Sequence, residues 1–247
     1  MKIGLIGVGT IGGFLAEKIK ADSSLELSFV LDTDPEKVTG FSKEIVINSI
    51  DEMPTVDLVV EAASQQAVGQ YAEAVLAKVN FLILSVGALS EQALEEKIVS
   101  LCKEHSTKFF IPSGAIAGID MLKAMQSEVK SVELISRKNP KGFGREDAEP
   151  VVLFEGYARE ACKKFPKNIN ISATASLNGI GFDKTKVKMI SDPECSGNRH
   201  FLHVVHSFGE MQIDVKALPS KNPKTSSTAA YSAFDLIKKI QFGINLY

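Results

Sequence analysis

Cysteine is scarce in this 247-residue sequence, and the three that occur, at positions 102, 162 and 195, are widely spaced. An odd number without a CxxC pair excludes a disulfide framework, so we expect a reducing, cytoplasmic location. Long hydrophobic runs are also missing, because segments such as VNFLILSVGAL are far too short to span a bilayer. The initial MKIGLIGVGTIGG is broken by glycines and lacks a basic n-region, which favours a first strand over a signal peptide. We therefore expect no membrane partner.

An excess of positive charge is absent as well. The sequence has 28 lysines and arginines against 30 acidic residues, and its net charge is −2. Proteins that bind nucleic acids usually carry a basic field or patch, so we expect no nucleic-acid partner. Hydrophobic residues make up 45% and charged residues 23%, which is typical of a globular chain with one large domain or two small ones.

The first half of the chain alternates apolar strands with amphipathic helices. Strands are predicted at KIGLIGV, LELSFVLD, VDLVVEAAS, NFLILSVGALS and KFFIPSG. Buried apolar strands between helices indicate βαβ units and a parallel sheet.

The pattern changes after residue 112. SVELISR alternates like a half-buried strand, and three consecutive, largely antiparallel strands are predicted at KVKMISD, RHFLHVVHSFG and EMQIDVKALP. A loop, SKNPKTSS, then enters a last helix.

A glycine-rich loop joins the first strand to the first helix. Gly7, Gly9 and Gly12 form GxGxxG, and Asp32 ends the next strand twenty residues later. This is the context that a dinucleotide-binding fingerprint requires, although a glycine turn without a ligand is the alternative. Gly7 permits the tight turn, Gly9 lets the backbone approach the pyrophosphate, and Gly12 allows close helix–strand packing. Asp32 can bind the ribose hydroxyls and would repel a 2′-phosphate. Because DTDPE contains no Lys or Arg, NAD is favoured, with NADP possible.

Other residues of this crevice are predicted from its position, since ligands bind at the carboxyl ends of parallel strands. The small residues there let the cofactor lie against the backbone, or alternatively only permit tight packing. The candidates are Thr10, Ile11, Ala62, Ala63, Ser64 and Gly87.

The predicted fold class is α/β, with a Rossmann-type parallel-sheet domain and a smaller α+β domain that has a mixed, largely antiparallel sheet. We expect the dinucleotide-binding domain at 1–112, completed by a terminal helix at 225–247. The substrate-binding and dimerisation domain is expected at 113–224.

Several segments, read in order, make the chain resemble the L-aspartate dehydrogenase family nearly from end to end. They are GVGTIGG, VVEAAS, SVGAL, PSGAIAGIDML, NINISATASL, DPECSGNRH and NPKTSSTAAYS. The resemblance implies a homodimer that oxidises L-aspartate to iminoaspartate with NAD or NADP. The imine would be handed to quinolinate synthesis, and hence to NAD biosynthesis, or hydrolyse to oxaloacetate and ammonia. By this resemblance the active-site histidine falls on His200, and cofactor contacts fall on Ala115 and Asn170.

Three histidines, His200, His203 and His206, stand within seven positions. On a helix this spacing would suggest a metal site, but the Phe, Val and Leu around them favour a strand. On a strand His200 and His206 lie roughly 20 Å apart on one face and His203 points the other way, so one zinc ion cannot collect all three. We expect no metal, and only packing roles for His203 and His206.

His200 follows the loop DPECSGN, where chemistry can be displayed on a rigid strand. The ordinary histidine pKa of about 6.5 suits proton exchange near neutrality. We expect His200 to take a proton from the substrate ammonium, or to activate water against the imine. Asp192 or Glu194 can orient the imidazole, or can simply be turn residues.

Aspartate carries two carboxylates, so its pocket needs cations and amide donors. The start of the last helix at NPKTS offers N–H groups as an anion site. Alternatively, these side chains are only solvated. The principal candidates are Arg137, Lys138, Asn198, Lys224 and Thr225, with Arg145, Arg199 and Lys221 as further cations.

Two other functions fit parts of the sequence. One is a two-domain reductase of the dihydrodipicolinate-reductase or homoserine-dehydrogenase type, against which the segments DPECSGNRH and NPKTS count. The other is a dinucleotide-binding module without catalysis, which would not need a histidine-bearing second domain.

Overall fold

The computed structural model describes residues 1–166, 169–218 and 227–243. The chain divides into two compact units, and the second, 113–228, is inserted between the two parts of the first. The first unit comprises 1–112 and the residues from 229 onward. Over the described part of the chain, no helix combines the length and apolar character needed to cross a membrane.

The first unit contains a five-stranded sheet in the order β2-β1-β3-β4-β5, and all its strands are parallel. This confirms the predicted Rossmann-type sheet. The strands are β1 (Lys2–Ile6), β2 (Glu26–Leu31), β3 (Leu58–Glu61), β4 (Asn80–Ile83) and β5 (Phe109–Phe110). The helices that connect them are α1 (Thr10–Ala21), α2 (Gln65–Leu76) and α3 (Gln92–His105).

Two strands of this sheet are shorter than predicted. NFLILSVGALS pairs only as far as Ile83, and residues 86–90 form a 3-10 turn instead. The cause is that the backbone N–H of Ser85 donates to the side chain of Glu61 rather than to a neighbouring strand. KFFIPSG is reduced to β5, and Pro112 has no N–H with which to extend a ladder.

The last helix of the chain, α7 (Ser227–Phe242), completes the hydrophobic core of the first unit. Its residues Ala233 and Ile237 are fully buried against the core formed by the sheet and α1. At the surface, Lys238 forms an ion pair with Asp22 just after α1, which lowers the pKa of that carboxyl to about 2. The first unit is therefore built from both ends of the described chain.

The second unit contains a mixed five-stranded sheet in the order β10-β9-β6-β8-β7. Among the described strand pairs of this sheet, only β6 and β8 are parallel, which confirms a mixed, largely antiparallel sheet. The strands are β6 (Val129–Lys138), β7 (Val151–Tyr157), β8 (Lys186–Ser191), β9 (Asn198–His206) and β10 (Gly209–Ala217). The helices of the unit are α4 (Ile119–Ala124), α5 (Ala158–Lys164) and α6 (Asn170–Asn178).

The three last strands of this unit are not consecutive neighbours, because β6 lies between β8 and β9. Strand β6 is long and apolar on one face, so a central position buries Val132 and Leu134 beside Leu202 and Val204 of β9. The same face of the two strands continues beyond this core to polar residues, and these form the site described next.

Candidate cofactor and proton-transfer sites

The glycine loop of the first unit has the geometry that its sequence predicts. Gly7 has a φ of +87°, and a Cβ there would lie 2.6–2.7 Å from atoms of Ala63. A Cβ on Gly12 would overlap the carbonyl oxygen of Gly7, so the helix approaches the strand more closely than any side chain allows. A Cβ on Gly9 would meet nothing within 4 Å, so the space beside its backbone is open. Helix α1 starts with Thr10 and Ile11 and carries no acidic residue in its first turn, which leaves its positive end suited to an anion.

Asp32 is held at the end of β2 beside this loop. Its carboxylate accepts hydrogen bonds of 2.9 Å from the backbone N–H groups of Val8 and Asp34. The ammonium of Lys37 lies 3.5 Å from the same carboxylate. Lys37 stands just beyond DTDPE, the segment that contains no Lys or Arg.

A cavity of about 220 Å³ opens between the glycine loop, the end of β2 and the start of α2. Four predicted cofactor residues line it, namely Gly7, Asp32, Ala63 and Ser64. Sequence reasoning missed Gln66, Gln70 and Tyr71, which line it from α2. The signal for them was their place in the helix that directly follows VVEAAS. Of the other predicted residues, Ala62 continues from the end of β3, and Gly87 is buried in the 3-10 turn after β4.

Glu61, the last residue of β3, is fully buried and was also missed. Its Oε1 accepts hydrogen bonds of 2.8 Å from Ala63 N and Ser85 Oγ, and its Oε2 accepts one of 2.9 Å from Ser85 N. Burial raises the pKa of this carboxyl, and the hydrogen bonds, including one from Ser64 N, oppose the rise. Glu61 therefore ties together the loops that follow β3 and β4.

In the second unit, His200 lies on β9 directly opposite Ser136 of β6 and is only 2% exposed. A hydrogen bond of 2.9 Å joins its Nδ1 to Ser136 Oγ. Burial lowers the pKa of His200 to about 3, and the charge of Lys138 adds to the effect. This pKa is well below the ordinary histidine value of about 6.5, so the imidazole is neutral at physiological pH.

Lys138 shares the buried face of β6 with Ser136, two residues further along the strand. Burial lowers the pKa of its ammonium to about 8. The register pairs Lys138 with Asn198 of β9, so the sheet brings Lys138, Asn198 and His200 to one end. This cluster combines a neutral base with a cation that has little hydration, a combination suited to an anionic substrate.

Asp192, one of the two residues expected to orient the imidazole, has other partners. Asp192 accepts hydrogen bonds of 3.0 Å from Arg137 Nη1 and from the backbone of Glu194. Ser136, rather than a carboxylate, is therefore the described partner of His200. Sequence reasoning could not find Ser136, because the two residues are 64 positions apart and meet only through strand pairing.

Arg137 is separated from His200, because alternate residues of a strand point to opposite faces. Arg137 lines a second cavity of about 300 Å³ together with Asp192, Asn198 and Arg199. The other two predicted arginines make bidentate pairs, Arg199 with Asp214 and Arg145 with Asp147.

The remaining predictions differ in how far the structure describes them. Ala115 is buried in the loop before α4, and Asn170 is the first residue of α6. Lys221, Lys224 and Thr225 lie outside the described residues.

His203 and His206, the other two histidines of β9, have partners of their own. His203 Nε2 lies 2.8 Å from Glu210 of β10, and His206 accepts a hydrogen bond from Phe208 N in the hairpin. The described residues contain no group of three side chains placed to hold a metal ion.

The fold and the glycine loop define a two-unit dehydrogenase that binds a nicotinamide dinucleotide. Residues 7–112 match the family model "Homoserine dehydrogenase, NAD binding domain", and residues 120–240 match "Aspartate dehydrogenase, C-terminal". The chain belongs to the L-aspartate dehydrogenase family.

Relatives and a solved structure support this assignment over the whole length. The L-aspartate dehydrogenase of Methanosarcina mazei is 40% identical, with 97% of each chain covered. That of Archaeoglobus fulgidus is 38% identical, with 99% of each covered. The crystal structure of aspartate dehydrogenase from Thermotoga maritima matches with a TM-score of 0.83 at 29% identity, covering 100% of this chain and 99% of that one.

Proposed function

We propose that this protein oxidises L-aspartate to iminoaspartate with NAD, and that it also accepts NADP. The observation that carries the proposal is the pairing, on one buried face of β6 and β9, of the neutral imidazole of His200 with the ammonium of Lys138. The first is a base for the substrate ammonium, and the second is a partner for a substrate carboxylate.

The first unit fits the cofactor. Gly7 and Gly12 bring the loop and α1 to the strand, and the open side of Gly9 leaves room for a diphosphate. Asp32 would hold the ribose, and Lys37 would tolerate a 2′-phosphate. NAD, when bound, accepts the hydride that leaves the substrate Cα.

His200 would accept a proton from the substrate ammonium, which must be deprotonated before the hydride can leave. The substrate amine is an ammonium at neutral pH, and a lone pair on nitrogen is needed before the hydride leaves. A neutral imidazole has a free nitrogen lone pair for that proton, and the negative charges of a bound aspartate would stabilise the imidazolium that forms, against the effect of burial. Ser136 would fix the ring by binding Nδ1, which leaves Nε2 as the reactive nitrogen.

Lys138 would bind one substrate carboxylate, and such a pair is strong where water is excluded. Asn198, the register partner of Lys138, would assist it. Lys224 and Thr225 stay predictions for the second carboxylate, Arg137 stays a weaker one, and Ala115 and Asn170 stay predicted cofactor contacts.

The product and its setting are also proposals. Iminoaspartate hydrolyses to oxaloacetate and ammonia in water, so direct transfer to quinolinate synthesis would spare it for NAD biosynthesis. The three cysteines, all within the described residues, form no disulfide, which fits a cytoplasmic location.

We expect NADH to form from L-aspartate and NAD, and to form more slowly or not at all from L-glutamate and L-homoserine. The proposed site binds the two carboxylates of L-aspartate at fixed positions. Glutamate places its second carboxylate one methylene too far, and homoserine has an uncharged hydroxyl in place of that carboxylate. Initial rates at the NADH absorbance band measure this, with NADP tested in parallel and D-aspartate as the stereochemical control. Preferential oxidation of homoserine would support the rival reductase. Binding of NADH without turnover of any amino acid would support the non-catalytic module.

We further propose a homodimer formed through the open face of the second sheet. Ile135 and Phe201 are half-buried there beside Arg137 and Arg199, and apolar residues next to arginines are typical of an interface. Light scattering should give about twice the chain mass of 26.7 kDa. Phe201→Glu should give a monomer, whereas Phe208→Glu, in the exposed hairpin turn, should leave the dimer intact. A monomeric wild type would contradict the proposal.

A further inference from the structure

Glu61 carries a carboxylate at a fully buried position, where burial of an apolar side chain would be more favourable in free energy. It has no exposed surface, and the partners described above are neutral N–H and O–H donors. Burial of a carboxylate is unfavourable unless hydrogen bonds compensate for the lost water. A buried carboxylate therefore suggests that its hydrogen bonds have a specific structural role, beyond the packing that an apolar side chain could provide.

The hydrogen bonds of Glu61 fix one wall of the cofactor cavity. Ala63, whose N–H it binds, is the residue against which Gly7 packs without room for a side chain. Ala63 and Ser64 both line the cavity of about 220 Å³. Through Ser85, the same carboxylate holds the chain where it leaves β4. Two strand-end loops thus depend on one side chain.

We propose that Glu61 is a positioning residue for the dinucleotide, which holds the ends of β3 and β4 in the arrangement that admits the cofactor. The inference rests on the proposed use of NAD. Glu61 has no part in hydride or proton transfer. Its effect should therefore be on cofactor affinity, with little effect on the chemical step.

The two acceptor oxygens of the Glu61 carboxylate explain why glutamine is not an equivalent replacement. One carboxylate oxygen faces Ala63 N–H, and the other faces Ser85 N–H. An amide has one oxygen and one NH₂ group, so in either orientation its NH₂ would oppose a backbone N–H. A buried donor is left unsatisfied, and the loop must move to relieve it.

The experiment measures the Kd of NADH by fluorescence titration, with kcat at saturating cofactor and the midpoint of thermal unfolding. Glu61→Gln should raise the Kd about 10-fold, which corresponds to roughly 1.4 kcal/mol. The kcat and the KM for aspartate should change less than about 3-fold. Ser85→Ala removes only the Oγ donor and should raise the Kd about 3-fold, in the same direction. Glu73→Gln is the matched control, since it makes the same change on α2 at an exposed carboxylate paired with Lys97.

The outcomes separate this inference from the proposed function. A folded Glu61→Gln variant that binds NADH like the wild type would overturn the positioning role, even if it unfolds at a lower temperature. If Glu61→Gln does not fold, the test passes to Ser85→Ala. A Ser85→Ala variant that binds NADH with wild-type affinity would then overturn the positioning role. A wild type that binds no NADH at all would overturn the proposed function, and the positioning role with it.

Discussion

Replacement of His200 by alanine should lower kcat for aspartate oxidation by about 10²- to 10⁴-fold, the usual contribution of a general base. The Kd of NADH should stay the same, because the glycine loop and Asp32 belong to the other unit. Loss of the base leaves water as the only acceptor of the ammonium proton. Stopped-flow or steady-state measurement of NADH formation, alongside NADH titration, gives both quantities.

His203→Ala is the control for this prediction, because His203 lies on the opposite face of β9 and contacts Glu210. It should keep nearly full activity. The pH dependence gives an independent reading: with its pKa lowered to about 3, His200 stays neutral as the pH falls through 6.5. The pH profile of kcat/KM reports groups of the free enzyme. A buried neutral base would be contradicted if kcat/KM fell in acid with a midpoint at about 6–7 in the wild type and this fall disappeared in a His200 variant that still turns over. Full activity in His200→Ala would remove it from the mechanism.

Replacement of Gly12 by alanine should weaken NADH binding by about 10- to 100-fold and also lower the free energy of unfolding. The new Cβ would overlap a backbone oxygen of Gly7, which cannot rotate away as a side chain can, so α1 must shift from the strand. Overpacking of this kind costs about 1–3 kcal/mol, and each 1.4 kcal/mol is tenfold in affinity. NADH titration and thermal unfolding measure the two effects.

Two neighbouring glycines make the test specific. Gly9→Ala meets nothing within 4 Å in the protein itself, so it should keep the stability and lose the affinity. Gly13→Ala, whose Cβ would have only Val8 O at 3.7 Å, should keep both. Wild-type affinity in both Gly12→Ala and Gly9→Ala would mean that the cofactor does not bind at this loop.

The sequence predicts the parallel sheet well because its signal is local: apolar runs alternate with amphipathic helices. It fails where a distant group redirects the backbone. The strand through NFLILSVGALS stops early because Ser85 N–H bonds to Glu61, 24 residues before it. The position of β6 between β8 and β9 is likewise a result of core packing. It cannot be predicted from the alternation of apolar and polar residues within each strand.

For the sites, the sequence predicts single residues better than their surroundings. Asp32 could be found from its spacing, whereas the ion pair with Lys37 depends on how the turn after β2 folds back. His200 could be found from the resemblance. Its neutral state could not, because that state results from burial beside Lys138 and from a strand register that joins distant segments.

The return of α7 to the first unit sets the order in which a nascent chain can finish folding. Ile237 fills the same core as Leu15 and Ile19, yet the ribosome makes it after the whole of the inserted unit. At about 5–20 residues per second, the early strands wait several seconds with part of their apolar surface uncovered. The amino-terminal half therefore lacks part of its hydrophobic core until the last residues of α7 have been made.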